Sequence, residues 1–422
     1  MGLGILEPVT SDVAQQPTVQ SGIDLSHRDE VTRVQDDLFV HVNGRWLDEY
    51  KIPADRAVDG AFRTLYDQAE IDVQTIIQEA ADSKAEPGTD AARIGDLFAS
   101  FMDVDAVESA GLEPIAQELA AIRDADDHDT LAAVLGRLQR TGVGGAIGHY
   151  VDTDAKDSTR YLMHFAQSGL GLPDESYYRS DEYDEIRAGY LAHIGRMFEL
   201  AGVSNDPATV LELERKLAAH HWDVVKRRDA ERNYNLVSFD ALVTGSPGFN
   251  WIAWVSALGA SSEDFAEIVV RQPSFVREFA ALWTGESIED WRAWLTWRLI
   301  HSRAPYLTGA IVDENFAFYG RKLTGAEENR ERWKRGVSLV QDLLGEAVGK
   351  LYVERHFPAA AMLRLYASCR FSTSSSIRTF AAAGKCRSTY SLPTASPSRS
   401  WTSETPRFHR SRFSSAPVSL RP

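Results

Sequence analysis

Trp333, Val337, Val340, Leu344, Val348 and Leu351 follow one another at steps of 4, 3, 4, 4 and 3 positions. Those steps are the turn of an α-helix, and they place six apolar side chains on one face. A helix with one such face must bury it against another element, so this chain is restricted to folds built of packed helical layers. Ile186, Tyr190, Ile194, Met197 and Phe198 form a similar face, with Gly202 beyond it as a helix stop. Asp206-Pro207 then supplies an N-cap and a first-turn proline, and Val210, Leu213, Leu217 and His221 continue at helical spacing. Only Thr141 to Tyr161, glycine-rich and then turn-rich, reads as extended pieces around a turn. There is no internal repeat. The expectation is a mainly α fold with a minor β element confined to about residues 141–165.

Charge divides the chain. Met1 to Ala360 carries 60 acidic and 35 basic residues, a net of −25, whereas Ala361 to Pro422 carries one acid, Glu404, and ten Lys or Arg, a net of +9. An acidic body offers no counterion-displacing surface to phosphates, so non-specific nucleic-acid binding is excluded for it. Both cysteines, Cys369 and Cys386, lie in the basic stretch, so the body depends on no disulfide and suits a reducing compartment. The first residues lack a basic segment followed by an apolar run, and no run of about 18 apolar residues occurs anywhere. The expected setting is cytoplasmic, with no membrane partner. Residues 1–30 lack periodicity and read as a flexible leader.

Few residues are placed for chemistry. Hydrolysis by a helix-borne zinc needs H-E-x-x-H, two histidines four apart with a glutamate beside the first. None of the eleven histidines precedes a glutamate, and no two are four apart. His220 and His221 are adjacent and diverge by about 100° on a helix, which fits one packed and one solvated ring better than a metal clamp. Gly142, Gly144, Gly145 and Gly148 miss the G-x-G-x-x-G spacing and read as a close-packed bend rather than a nucleotide loop. Trp291, Trp294 and Trp297 fit a core helix better than a binding stripe. Asp36-Asp37 and Glu327-Glu328 read as solvated faces. No G-x-S-x-G nucleophile motif occurs.

Three blocks carry a resemblance. DDLFVHVNGRWLDEYKIPADRAVDGAFRTLYDQAE (Asp36 to Glu70) resembles the opening block of the neprilysin family of zinc metallopeptidases. QSGLGLPDESYY (Gln167 to Tyr178) is similar to that family's Q-x-G-L-G-L-P-x-x-x-Y-Y block, and RWKRGVSLVQDLLGEAVGKLYVERHF (Arg332 to Phe357) to its A-V-G-x-L-Y-V helix. The bacterial endopeptidase O-like members are the nearest comparison. The resemblance implies two mainly helical lobes around a closed cavity. The lobe present here, residues 31–357, is the large helical capping lobe that limits substrates to peptides. The thermolysin-like zinc lobe, with H-E-x-x-H, a downstream E-x-x-x-D and an N-A-[FY]-[YF] segment, is absent. The EPGTD at Glu86 and the NFAFYG at Asn315 match those last two motifs only superficially, because both precede the A-V-G-x-L-Y-V helix.

No catalytic, metal-binding or cofactor-binding residue is therefore assigned; zinc is implied for complete members only. The reading is the N-terminal capping region of a zinc metalloendopeptidase, inactive as this fragment, which normally packs on its own zinc lobe. The rival is a non-catalytic helical module that binds peptides or a partner. Residues 358–422, with fifteen serines after Ala360 and neither helical nor strand period, read as an aberrant, disordered tail produced by a shifted reading frame.

Overall fold

The computed structural model describes residues 25–357, which fall into two units divided between Ala54 and Asp55. In the first, α1 (Leu38–Glu49) begins at Asp37, whose carboxylate accepts from the Val40 N–H. His41 Nδ1 meets the Thr32 carbonyl at 2.6 Å and ties the preceding loop to this helix. Asp36 pairs with Arg33 in the exposed turn before it.

The second unit is mainly helical. In chain order it contains α2 (Ala61–Asp82), α3 (Asp90–Met102), α4 (Val104–Ala110), α5 (Glu113–Arg123), α6 (His128–Arg140), β1 (Ile147–Asp154), β2 (Asp157–Gln167), α7 (Ser176–Arg179), α8 (Asp184–Leu200), α9 (Pro207–His220) and α10 (Val224–Arg227). Then come β3 (Leu236–Ser238), α11 (Phe239–Gly245), α12 (Trp251–Ala257), β4 (Glu267–Val270), α13 (Pro273–Gly285), α14 (Ile288–Arg303), α15 (Gly309–Asn315), a π-helical segment (Phe316–Thr324) and α16 (Arg332–His356). No helix among the described residues is long and apolar enough to cross a membrane.

The expected faces are where the periodicity puts them. Tyr190, Ile194, Met197 and Phe198 are buried on α8, and Gly202 follows it at φ +60°, the left-handed stop that glycine favours. Asp206 caps α9 through the Ala208 N–H, with Pro207 in its first turn. On α16, Val337, Val340 and Val348 are buried and Trp333, Leu344 and Leu351 pack beside them, although the helix kinks at Leu344 (φ −128°, ψ 26°). One boundary differs: α9 ends at His220, and His221 turns away in extended backbone as its C-cap.

Two apolar cores result. The larger surrounds α14, where Trp291, Trp294, Trp297, Leu295, Leu299 and Ile300 are all buried, so this helix is covered on every side. Its tryptophans are core: Trp291 meets Trp294 edge-on and Trp283 tilted, and Phe279 links it to the edge-on pair Trp251 and Trp254. The smaller core joins α2, α3 and α16 through Val73, Ile77, Ile94, Phe98, Val337 and Val340.

The β element needs a correction. Residues 147–167 do form the expected hairpin, β1 against β2. Two further strands lie outside it: β4 runs parallel to β2, β3 antiparallel to β4, and the sheet order is β1-β2-β4-β3. At three and four residues these strands are too short to show alternation, and central β4 (EIVV) is buried at three consecutive positions.

Candidate functional site

The residues weighed for chemistry serve the scaffold instead. His221 Nε2 lies 3.1 Å from the Ser168 carbonyl with its ring edge-on to Phe275, and burial pushes its pKa down to about 4. His220 is half-exposed, 4.0 Å from Glu278, so the packed-and-solvated reading of this pair holds. Gly144 and Gly145 lie beneath Arg298 and Gln139, which would meet an added Cβ at 2.4 and 2.6 Å; this is a close-packed bend. Glu327 and Glu328 are exposed. Asn315 ends α15, where the NFAFYG stretch enters the π-helical segment, and Glu86 and Asp90 flank the start of α3. Among the described residues no group of three or more His, Cys, Asp or Glu stands where it could hold a metal ion. The zinc that the resemblance implies for complete members finds no fitting ligand set among the described residues.

The Gln167–Tyr178 block is organised by a residue that spacing alone did not single out. Glu214 of α9 has no solvent exposure. It accepts from Tyr178 Oη at 2.7 Å and from Tyr190 Oη at 3.0 Å. Tyr178 Oη in turn accepts the Gly171 and Leu172 N–H groups at 3.1 and 3.0 Å, and Trp297 Nε1 donates to Tyr190 Oη at 2.8 Å. Burial raises the Glu214 pKa against the opposing pull of Arg298 and the two phenols, and burial beside this carboxylate pushes both phenols well up. An added Cβ at Gly171 would lie 1.8 Å from Tyr190 Oη, so only glycine fits this point of the block. Gln167 receives the Trp222 N–H and donates to the Trp222 carbonyl, which anchors the AAHHWD stretch to the start of the block. With every member bonded inward, the network positions a loop; it has no free group to act on a substrate.

A recess of about 320 Å³ opens in the second unit between the start of α2, the π-helical segment and the loop before α16. Arg56, Arg63 and Arg330 line it together with Val58 and Phe316. Arg56 is held by a two-pronged bond to Asp67 and a contact to Asp55. Arg330 bonds the buried Glu70. Asp55 is bonded by Lys334 as well as Arg56; those partners outweigh its burial and keep its carboxyl below the usual range, so it is no poised base. Guanidinium groups beside apolar surface suit the gripping of a carbonyl or carboxylate oxygen, not bond cleavage.

Known proteins share this architecture. The family profile described as Peptidase family M13 matches residues 34–379, a span that continues past the last described residue. Endothelin-converting enzyme 1 of Cavia porcellus is 26% identical over 344 residues, which cover 76% of this chain and 44% of that protein. Human neprilysin is 24% identical over 368 residues, covering 79% and 48%. The zinc metalloprotease ZMP1 of Mycobacterium tuberculosis, solved with an inhibitor, superposes with a TM-score of 0.79 at 57% identity, over 82% of this chain and 53% of its own. PepO of Lactobacillus rhamnosis has the same fold, at a TM-score of 0.66 and 21% identity over 80% and 54%. The chain spans about half the length of the curated relatives it matches. A profile match over so much of the sequence makes this chain a member of Peptidase family M13, the neprilysin-like zinc peptidases, in their N-terminal region.

Proposed function

We propose that this chain is the capping, substrate-enclosing part of a zinc metalloendopeptidase acting on peptides, and that alone it neither holds zinc nor cleaves them. The observation that carries the reading is the extent of the likeness: about half of each relative is matched, and H-E-x-x-H is missing from the whole sequence. Val58, Phe62 and Leu65, at 71%, 89% and 69% exposure around the start of α2, supply an apolar row of the kind a second lobe would cover. The proposed cover is the chain's own zinc lobe. The recess beside Arg56 and Arg63 supports the second reading, a helical module that binds peptides without cleaving them. A cytoplasmic setting belongs to the same proposal, because the acidic body contains no cysteine.

Purified chain, loaded with zinc and dialysed, is expected to retain far less than one zinc per molecule. A quenched-fluorescence peptide incubated with it should stay intact. Stoichiometric zinc with hydrolysis that a chelator abolishes would overturn the proposal, since a catalytic site needs three convergent protein ligands.

Residues 358–422 lie outside the described residues, and for them we propose a shifted reading frame. The junction is placed at about Ala359, although the family match runs on to residue 379. Loss of nearly all acids and the appearance of both cysteines support it. Translating the DNA after the codons for ERHFPAA in the other two forward frames should give an acidic amphipathic segment, then H-E-x-x-H and E-x-x-x-D. If both frames reach a stop codon without those motifs, the stretch is a genuine tail.

A further inference from the structure

Arginine gathers in one place on this acidic chain without an acid to meet it. Arg227, Arg228 and Arg271 line a recess of about 430 Å³ together with Tyr150, Ala166 and Val224. Arg271, just past β4, donates to Tyr150 Oη at 2.5 Å, which turns its guanidinium across the sheet toward β1. Of the neighbouring carboxylates, Asp152, two positions along β1 from Tyr150, is exposed and accepts only the Thr153 N–H, and the others are engaged elsewhere. Asp223 caps α10 and lies 3.6 Å from Lys226, and Asp229 pairs with Arg232 at 3.1 Å. Among the described residues no carboxylate pairs with any of the three arginines. Holding three like charges around one hollow costs free energy, and an anion in the hollow repays it.

The hairpin that brings Tyr150 and Ala166 to the recess points the same way. Tyr150 pairs with His164 across the β1–β2 hairpin, their rings stacked at 5.3 Å and 15°. His164 is 6% exposed and neither of its ring nitrogens has a protein partner. It shares its face of β2 with Ala166, which lines the recess. Burial pushes the His164 pKa below its ordinary value against the opposing pull of Asp152 and Asp154, and the nearby Arg271 charge adds to the fall.

We propose that this recess is an anion-binding site that takes the carboxylates of an acidic peptide segment. Its volume exceeds that of a single oxyanion, and Val224, Ala166 and the Tyr150 ring give side-chain methylenes a surface beside the guanidinium forks. The site is separate from the recess beside Arg56 and does not depend on whether the chain belongs to an active peptidase. The net charge of −25 on residues 1–360 repels acidic peptides from most of that body, which leaves the basic stretch after Ala360 as the competing site that the substitutions must separate.

The test is fluorescence anisotropy on the full chain with a labelled peptide of alternating Glu and Gly, beside the same peptide with Gln for Glu. The Gln peptide should bind about tenfold more weakly or worse, and added salt should weaken only the Glu peptide. Arg228→Gln and Arg271→Gln should each cost about the same factor, with circular dichroism unchanged. Arg228 is exposed and makes no ion pair, so its loss tests the site without endangering the fold. Binding that survives both substitutions resides elsewhere, for instance in the basic stretch after Ala360, and overturns the assignment. It is equally overturned if inorganic phosphate occupies the recess more tightly than the peptide does.

Discussion

Replacing Glu214 by alanine should cost about 3–5 kcal/mol of stability, and urea unfolding followed by tryptophan fluorescence would measure it. The side chain is fully buried and is the common acceptor for Tyr178 and Tyr190. Its removal strands two phenols in the core, and one of those phenols holds the Gly171 and Leu172 N–H groups. A cavity adds to the loss. Glu214→Gln keeps the shape and one acceptor, so it should cost less. Its pH dependence carries a sign. Burial raises the folded pKa of Glu214, so the stability it contributes is complete below its unfolded-chain pKa and is lost as pH rises through the folded value. The deficit of Glu214→Gln relative to the native chain should therefore shrink from acid toward neutral pH. A deficit that grows over that range would show that the carboxylate, not the acid, is the favoured buried form.

Gly171→Ala should destabilise by about 3 kcal/mol, at the upper end for overpacking a rigid core. The new methyl would sit 1.8 Å from Tyr190 Oη and 2.6 Å from its Cζ, and Tyr190 cannot swing away because Trp297 and Glu214 hold its hydroxyl. Tyr190→Phe removes the closest atom. The double variant should thus lose less stability than the two single variants together, a coupling that a double-mutant cycle reads directly. Strict additivity would mean that the backbone at Gly171, not the phenol, yields to the methyl.

Much of the fold was legible because long amphipathic helices advertise their buried faces. Val337, Val340 and Val348 on α16 and Tyr190, Ile194 and Met197 on α8 are buried as their spacing requires. Caps were legible too, since Asp206-Pro207 and Gly202 act through their immediate neighbours. What escaped depends on residues distant in the chain. β3 and β4 make a sheet only because β2 lies alongside β4. Glu214 did carry a signal: it falls four after Val210 and three before Leu217, on the buried face of α9. A carboxylate there must find donors, but the tyrosines that supply them lie 36 and 24 residues away. Resemblance picked out QSGLGLPDESYY as a unit. Only the geometry explains its glycine, through Tyr190, and its final tyrosine, through Glu214. The Arg56 recess is equally non-local, because Arg330 reaches Glu70 across 260 positions.

The smaller core has a consequence for the order of synthesis. Its halves come from opposite ends of the described chain, α2 and α3 near the start and α16 at the finish. About 230 residues must leave the ribosome between Met102 and Arg332, which at cellular elongation rates takes on the order of ten seconds or more. Throughout that interval Val73, Ile77, Ile94 and Phe98 have no α16 to cover them. The tryptophan-rich centre can condense meanwhile, and once folded it shortens the search that α16 must make. The clasp therefore closes last, and until it does the nascent α2–α3 hairpin presents a greasy face to any chaperone or protease waiting at the exit tunnel.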